Sequence, residues 1–129
     1  MYVRGIRGAT TVEHNEEHEI LSATAELLQA IIAENQVTPE EIGSVIITVT
    51  ADLDATFPAR AIRGLEGWEL VPLMCALEVP VTGSLPKCIR LMVMANTTKS
   101  QAEMIHVYLN KAQALRPDLA QRVSTQIKI

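Results

Sequence analysis

Along residues 88–96 apolar side chains occupy both alternating sets of positions. Ile89, Leu91, Val93 and Ala95 form one set, and Cys88, Arg90, Met92 and Met94 form the other. Spacing of two predicts a strand from Cys88 to Asn96, and a strand apolar on both sides is ordinarily covered on both. Arg90 stands in the second set between sulfur-bearing side chains, so it calls for an anion. The same pattern predicts a strand at Tyr2 to Thr11, interrupted by Gly5 and Gly8, where a ligand or another backbone comes close. Arg4 and Arg7 fall on its opposite faces.

The spacing then changes. Ile20, Thr24, Leu27, Leu28, Ile31 and Ile32 recur at helical intervals, predicting a helix to about Asn35 with Asn15 as its N-cap. Thr38-Pro-Glu-Glu41 reads as a capping box on a short turn, and Val45 to Ala51 as a β-branched strand ended by Asp52-Leu-Asp54. Pro58 opens a short helix from Phe57 to Leu65, stopped near Gly67, and Trp68 leads into a strand through Leu73 to Cys75. Ser100-Gln-Ala-Glu103 is a second capping box. Ile105 to Leu109 reads as a last strand, and Lys111 to Arg116 as a brief helix ended by Pro117. The polar stretch 118–129 is expected to be a mobile tail. The elements, strands and helices in turn, are read as one domain over residues 1–117.

Composition narrows the reading. The 129 residues are 48% hydrophobic with only four aromatics, so the core must be aliphatic, and the net charge of −4 speaks against a nucleic-acid or anionic-membrane surface. Cys75 and Cys88 make neither a disulfide framework nor a metal motif. No apolar run is long enough to span a membrane, and the N-terminus lacks the apolar region of a signal peptide. A soluble cytoplasmic protein is expected. His14 and His18, four apart, read as a solvated pair because no third ligand is near.

The chemistry concentrates at Pro72 to Arg90, where Cys75, Glu78 and Arg90 surround a loop punctuated by Pro80, Gly83 and Pro86. By themselves these residues allow plain readings: a structural Arg90–Glu78 ion pair, a Cys75 that packs as a small hydrophobe, and a solvated basic face at Arg60 and Arg63. Several arginines in apolar settings favour a site instead. Guanidinium forks suit carboxylates, and no nucleophile triad, phosphate-cradling loop or metal motif is present. A small polyanionic metabolite fits this inventory, with catalysis, needing neither a nucleophile nor a cofactor, coming from restricted conformation and charge stabilisation.

The opening Arg4-Gly-Ile-Arg-Gly-Ala-Thr-Thr-Val12, Phe57-Pro-Ala59 with Arg63, Cys75 with Glu78, Val81-Thr-Gly83, Lys87-Cys-Ile-Arg90, and His106-Val-Tyr-Leu109 with Leu115-Arg-Pro-Asp118 together resemble the monofunctional, AroH-class chorismate mutases. The resemblance implies an α+β fold, a mixed β-sheet packed with helices, in a homotrimeric pseudo-α/β-barrel. Its active sites would lie between adjacent subunits and convert chorismate to prephenate on the way to phenylalanine and tyrosine. It implies that Arg7 binds a substrate carboxylate and that Arg90 contacts the ether oxygen and a carboxylate. Glu78 and Cys75 would meet the ring hydroxyl, and Tyr108 a carboxylate. Phe57, Ala59, Leu73, Met74 and Leu115 would line the pocket, with Arg60, Arg63 and Arg116 at its rim. Two other classes compete: a non-catalytic trimer sensing a dicarboxylate, and a small trimeric enzyme acting on reactive imines. Neither would consume chorismate.

Overall fold

The computed structural model describes residues 1–115; Arg116 and the expected tail at 118–129 lie outside them. Five strands and two helices follow in the order β1 (Tyr2–Thr11), α1 (Glu17–Asn35), β2 (Ile42–Val49), α2 (Ala59–Arg63), β3 (Leu73–Leu77), β4 (Cys88–Thr97) and β5 (Val107–Tyr108). Short 3-10 turns lie at Pro39–Glu41, Gln101–Glu103 and Asn110–Ala114. The strands form one sheet in the order β3-β2-β4-β1-β5. β4 is antiparallel to β1 and β2, whereas β2–β3 and β1–β5 run parallel. The fold is α+β with a mixed sheet, as the family resemblance implies.

The core lies on one side of the sheet. Ile6, Val45, Ile47, Ile89, Leu91 and Val93 pack there against Ile20, Leu27, Leu28 and Ile31 of α1 and Ile62 of α2. Full burial of each aliphatic side chain contributes roughly 1.5–3 kcal/mol, so α1 is held mainly by this stripe. Gly8 marks the closest approach. A Cβ there would stand 2.6 Å from Ile31 Cδ1, 3.0 Å from Leu27 Cδ1 and 3.2 Å from the Val107 carbonyl oxygen. This glycine therefore accommodates helix α1 and β5, both pressed against β1.

Several boundaries differ from the sequence reading. The N-cap of α1 is Glu16, whose carboxylate accepts from the amides of His18 and Glu19 at 3.0 and 2.9 Å. Asn15 instead ties down a distant loop. Its Oδ1 accepts from the amides of Asp54 and Ala55, and its Nδ2 donates to Asp54 Oδ1 at 2.7 Å. Both residue types can cap a helix; one carboxylate satisfying two amides leaves the asparagine free for that tether. β2 begins earlier than expected, at Ile42, because Gly43 sits in a register shift between Ile42 and Ser44 and does not end the ladder. β5 is shorter than expected, since only Gly8 and Ala9 pair with it. Both predicted capping boxes are present.

The second set of β4 residues is not buried within the chain. Cys88 is covered, but Met92 and Met94 are half-buried and Arg90 is exposed. Both helices lie on the opposite side, which leaves this face of the sheet open.

Candidate active site

The sheet register sets the site. On the face away from the helices, Ala76, Thr48, Arg90, Ala9 and Tyr108 form one row across all five strands. A neighbouring row contains Met74, Ile46, Met92 and Arg7. Paired residues project to the same side of a sheet, so Arg7, Arg90 and Tyr108 converge although they lie far apart in sequence. Ala9, a single methyl between Arg90 and Tyr108, leaves room above the floor.

A cavity of about 330 Å³ occupies this position, walled by Arg7, Ala9, Thr48, Glu78, Arg90, Met92, Tyr108 and Leu115 among others. Tyr108 is buried in a small cluster with Ala9, Cys88 and Ala112, against which Leu115 packs. The Arg7 amide donates to His106 Nδ1 at 2.9 Å, which fastens β1 to the segment entering β5. Glu78 follows the last residue of β3. Its amide donates to the Val49 carbonyl at 2.9 Å, and its carboxylate turns inward: Oε2 accepts from the Thr48 hydroxyl and lies 3.5 Å from Arg90 Nε. Burial pushes the Cys88 thiol above its ordinary range, with Arg90 opposing the shift. This cavity thus holds two guanidinium groups, one carboxylate and a phenol over an apolar floor. That is a receptor for an anion with an apolar body.

The remaining candidates lie elsewhere. Leu73 and Cys75 point to the helix side of β3 and pack against the core. Cys75 also borders a second hollow of about 670 Å³, shared with Leu53, Phe57 and Arg60. Ala59 is buried in the core cluster, Arg63 is exposed, and Met74 stands 67% exposed on the open face. Arg60 pairs with Glu17 and bonds Thr56 Oγ1 at 2.8 Å. Within one chain, then, Arg7, Glu78, Arg90, Tyr108 and Leu115 share a cavity, and Phe57, Arg60 and Cys75 share another. Cys75 lies on the helix side of β3, whereas Glu78, just past its end, faces the cavity on the open side. The sequence reading passed over Thr48, because a threonine in a β-branched run signals only a strand; the register with Arg90 is what distinguishes it.

The family model for chorismate mutase type I matches residues 3–119. The chain belongs to that family. It is 49% identical over 127 residues to chorismate mutase AroH of Bacillus subtilis (strain 168), which spans 98% of this chain and 100% of the relative. Identity to chorismate mutase AroH of Thermus thermophilus is 50% over 118 residues, or 91% and 96% of the two chains. A solved structure of a chorismate mutase from Clostridium thermocellum matches with a TM-score of 0.83 at 48% identity, covering 85% of this chain and 97% of that one. The resemblance carried by the motifs and the family model therefore agree over nearly the same residues. No helix among the described residues is long and apolar enough to cross a membrane.

Proposed function

We propose that the protein is a chorismate mutase, catalysing the rearrangement of chorismate to prephenate within phenylalanine and tyrosine synthesis. The observation that carries this reading is the convergence of Arg7, Arg90 and Tyr108 on one cavity in a chain of the type I family. The reaction breaks a C–O bond and forms a C–C bond inside one molecule, with no proton transfer. It asks the protein for no nucleophile and no general base. It asks for a cavity that selects the compact conformer of a dicarboxylate and a cation where negative charge grows on the ether oxygen.

Arg90 supplies that cation. A charge fixed beside the ether oxygen stabilises the transition state more than the substrate, and only such a difference accelerates the step. Arg7 and Tyr108 hold a carboxylate, and Glu78 accepts a hydrogen bond from the ring hydroxyl.

The complete site forms between adjacent copies of the chain in a closed trimer. Two facts support this reading. The open face of the sheet presents Ile46 and Met74, 42% and 67% exposed, beside Met92 and Met94. In addition, Cys75 on the helix side of β3 and Glu78, just past the end of β3 and facing the open-side cavity, lie on opposite sides of the sheet, so both reach one hydroxyl only if they come from different copies. The half with Arg7, Glu78, Arg90, Tyr108 and Leu115 then meets a half with Phe57, Ala59, Arg60, Arg63, Leu73, Met74 and Cys75. Two free thiols suit a reducing, cytoplasmic setting.

The test is direct. Purified protein mixed with chorismate should remove the ultraviolet absorbance of chorismate and yield prephenate without added metal or cofactor. Unchanged absorbance would leave the dicarboxylate sensor and the imine enzyme as the surviving alternatives.

A further inference from the structure

The Thr48 hydroxyl lies in the same row as Arg90, and among the described residues its one hydrogen-bond partner is the carboxylate of Glu78. Adjacent residues of β2 hold both ends of Glu78: the Val49 carbonyl takes its amide, and the Thr48 hydroxyl takes its Oε2. Arg90 Nε approaches that same oxygen at 3.5 Å, too far for a good hydrogen bond. Oε1 has no hydrogen bond among the described residues.

We propose that Thr48 is a positioning residue, which holds Glu78 so that Oε1 faces the substrate hydroxyl and Arg90 keeps its guanidinium fork for the substrate. The proposal rests on the chorismate mutase reading above. Its physical basis is a competition. A carboxylate and a guanidinium in one half-exposed cavity tend towards a two-bond ion pair, the geometry that Arg favours with carboxylates. Such a pair would direct both Arg90 N–H groups to Glu78 and spread its charge over the wrong anion. By donating to Oε2, Thr48 occupies one of the two oxygens that the pair requires. The carboxylate is thereby kept side-on to Arg90, with its other oxygen turned outward. Because strand pairing fixes Thr48 opposite Arg90, the hydroxyl is in place before any ligand arrives.

The experiment compares Thr48→Val, Thr48→Ala and Thr48→Ser, each alone and in a Glu78→Ala background, with chorismate as the probe. Circular dichroism and light scattering establish folding and assembly first, and a strand position open to the cavity tolerates valine well. Thr48→Val and Thr48→Ala should each lower kcat roughly tenfold, the low end for loss of a hydrogen bond to a charged group, with a smaller change in KM. Thr48→Ser should remain within about threefold of the parent, because it keeps the donor. In the Glu78→Ala background Thr48→Val should change kcat by less than about twofold, since the group it positions is gone. Near-parental kcat in both hydroxyl-free variants overturns the proposal. So does a serine variant as impaired as valine, or an undiminished valine effect without Glu78. A parent protein that leaves chorismate unchanged overturns the enzymatic reading itself, a distinct outcome seen before any variant is made. If Thr48→Val does not fold, Thr48→Ala and Thr48→Ser decide the matter.

Discussion

Arg90 and Glu78 form an ion pair whose distance, 3.5 Å from Nε to Oε2, leaves both groups free to engage something else. The proposed mechanism turns on the charge of Arg90. A neutral side chain of nearly the same shape should bind chorismate tolerably and turn it over at least ~10²–10³-fold more slowly, as when one electrostatic stabiliser is removed. Arg90→Lys keeps the charge but loses the planar fork and should also be impaired. Cys75→Ala should cost far less, because the thiol only helps to hold a hydroxyl. Steady-state kcat and KM of the three variants check this ordering; a Cys75→Ala protein without activity beside an active neutral isostere would point to covalent chemistry. Cys88 behaves differently from an accessible thiol. Burial raises its pKa, so it stays protonated at neutral pH and should resist iodoacetamide until the protein is denatured, as peptide mapping will show. The linkage has a sign. Above the ordinary thiol range the unfolded chain loses this proton while the folded chain retains it. This group's contribution to stability therefore falls as pH rises beyond that range.

At the scale of elements, β1 and α1 are joined through an absence of side chain. Gly8 carries hydrogen where a methyl would meet Ile31 and Leu27, both fully buried, and the Val107 carbonyl. Gly8→Ala should therefore destabilise by about 1–3 kcal/mol, the usual cost of overpacking a filled core. Thermal unfolding should show a fall in Tm of several degrees. Ile31→Val, which deletes the closest atom, should restore part of that loss in the double variant and so identify the contact. Helical spacing in α1 was readable because the buried residues Ile20, Thr24, Leu27, Leu28 and Ile31 are a property of local sequence. The length of β5 was not readable, because it depends on how many residues of β1 remain to pair with it. The cap of α1 shows the same limit, since Asn15 was claimed by Asp54 thirty-nine residues away.

For the whole molecule the open face of the sheet is decisive. Among the described residues nothing covers Ile46, Met74, Met92 and Met94, and the candidate site is divided between two cavities. A closed trimer should appear by light scattering at micromolar protein; a stable, active monomer would contradict it. Complementation tests the division. Arg90→Ala and Arg63→Ala, each inactive alone, should regain activity at about a quarter of the sites when randomly mixed in one trimer, because each interface draws one half from each neighbour. If both halves belonged to the same chain, mixing would restore nothing.

The order of strands and helices and the aliphatic core could be taken from the sequence, which also singled out Arg7, Cys75, Glu78, Arg90 and Tyr108 as candidates. Spacing, caps and family motifs are written into neighbouring or ordered residues. Tertiary structure decided what those residues do to one another. Strand pairing brought Thr48, Ala9 and Tyr108 into line with Arg90, and it left Cys75 on the helix side of the sheet and Glu78, just beyond β3, on the open side. It also put both helices on one side, so the second apolar face of β4 stayed open within the chain. Register and layer order arise from contacts between segments distant in sequence, and a pattern read along one strand does not contain its partner.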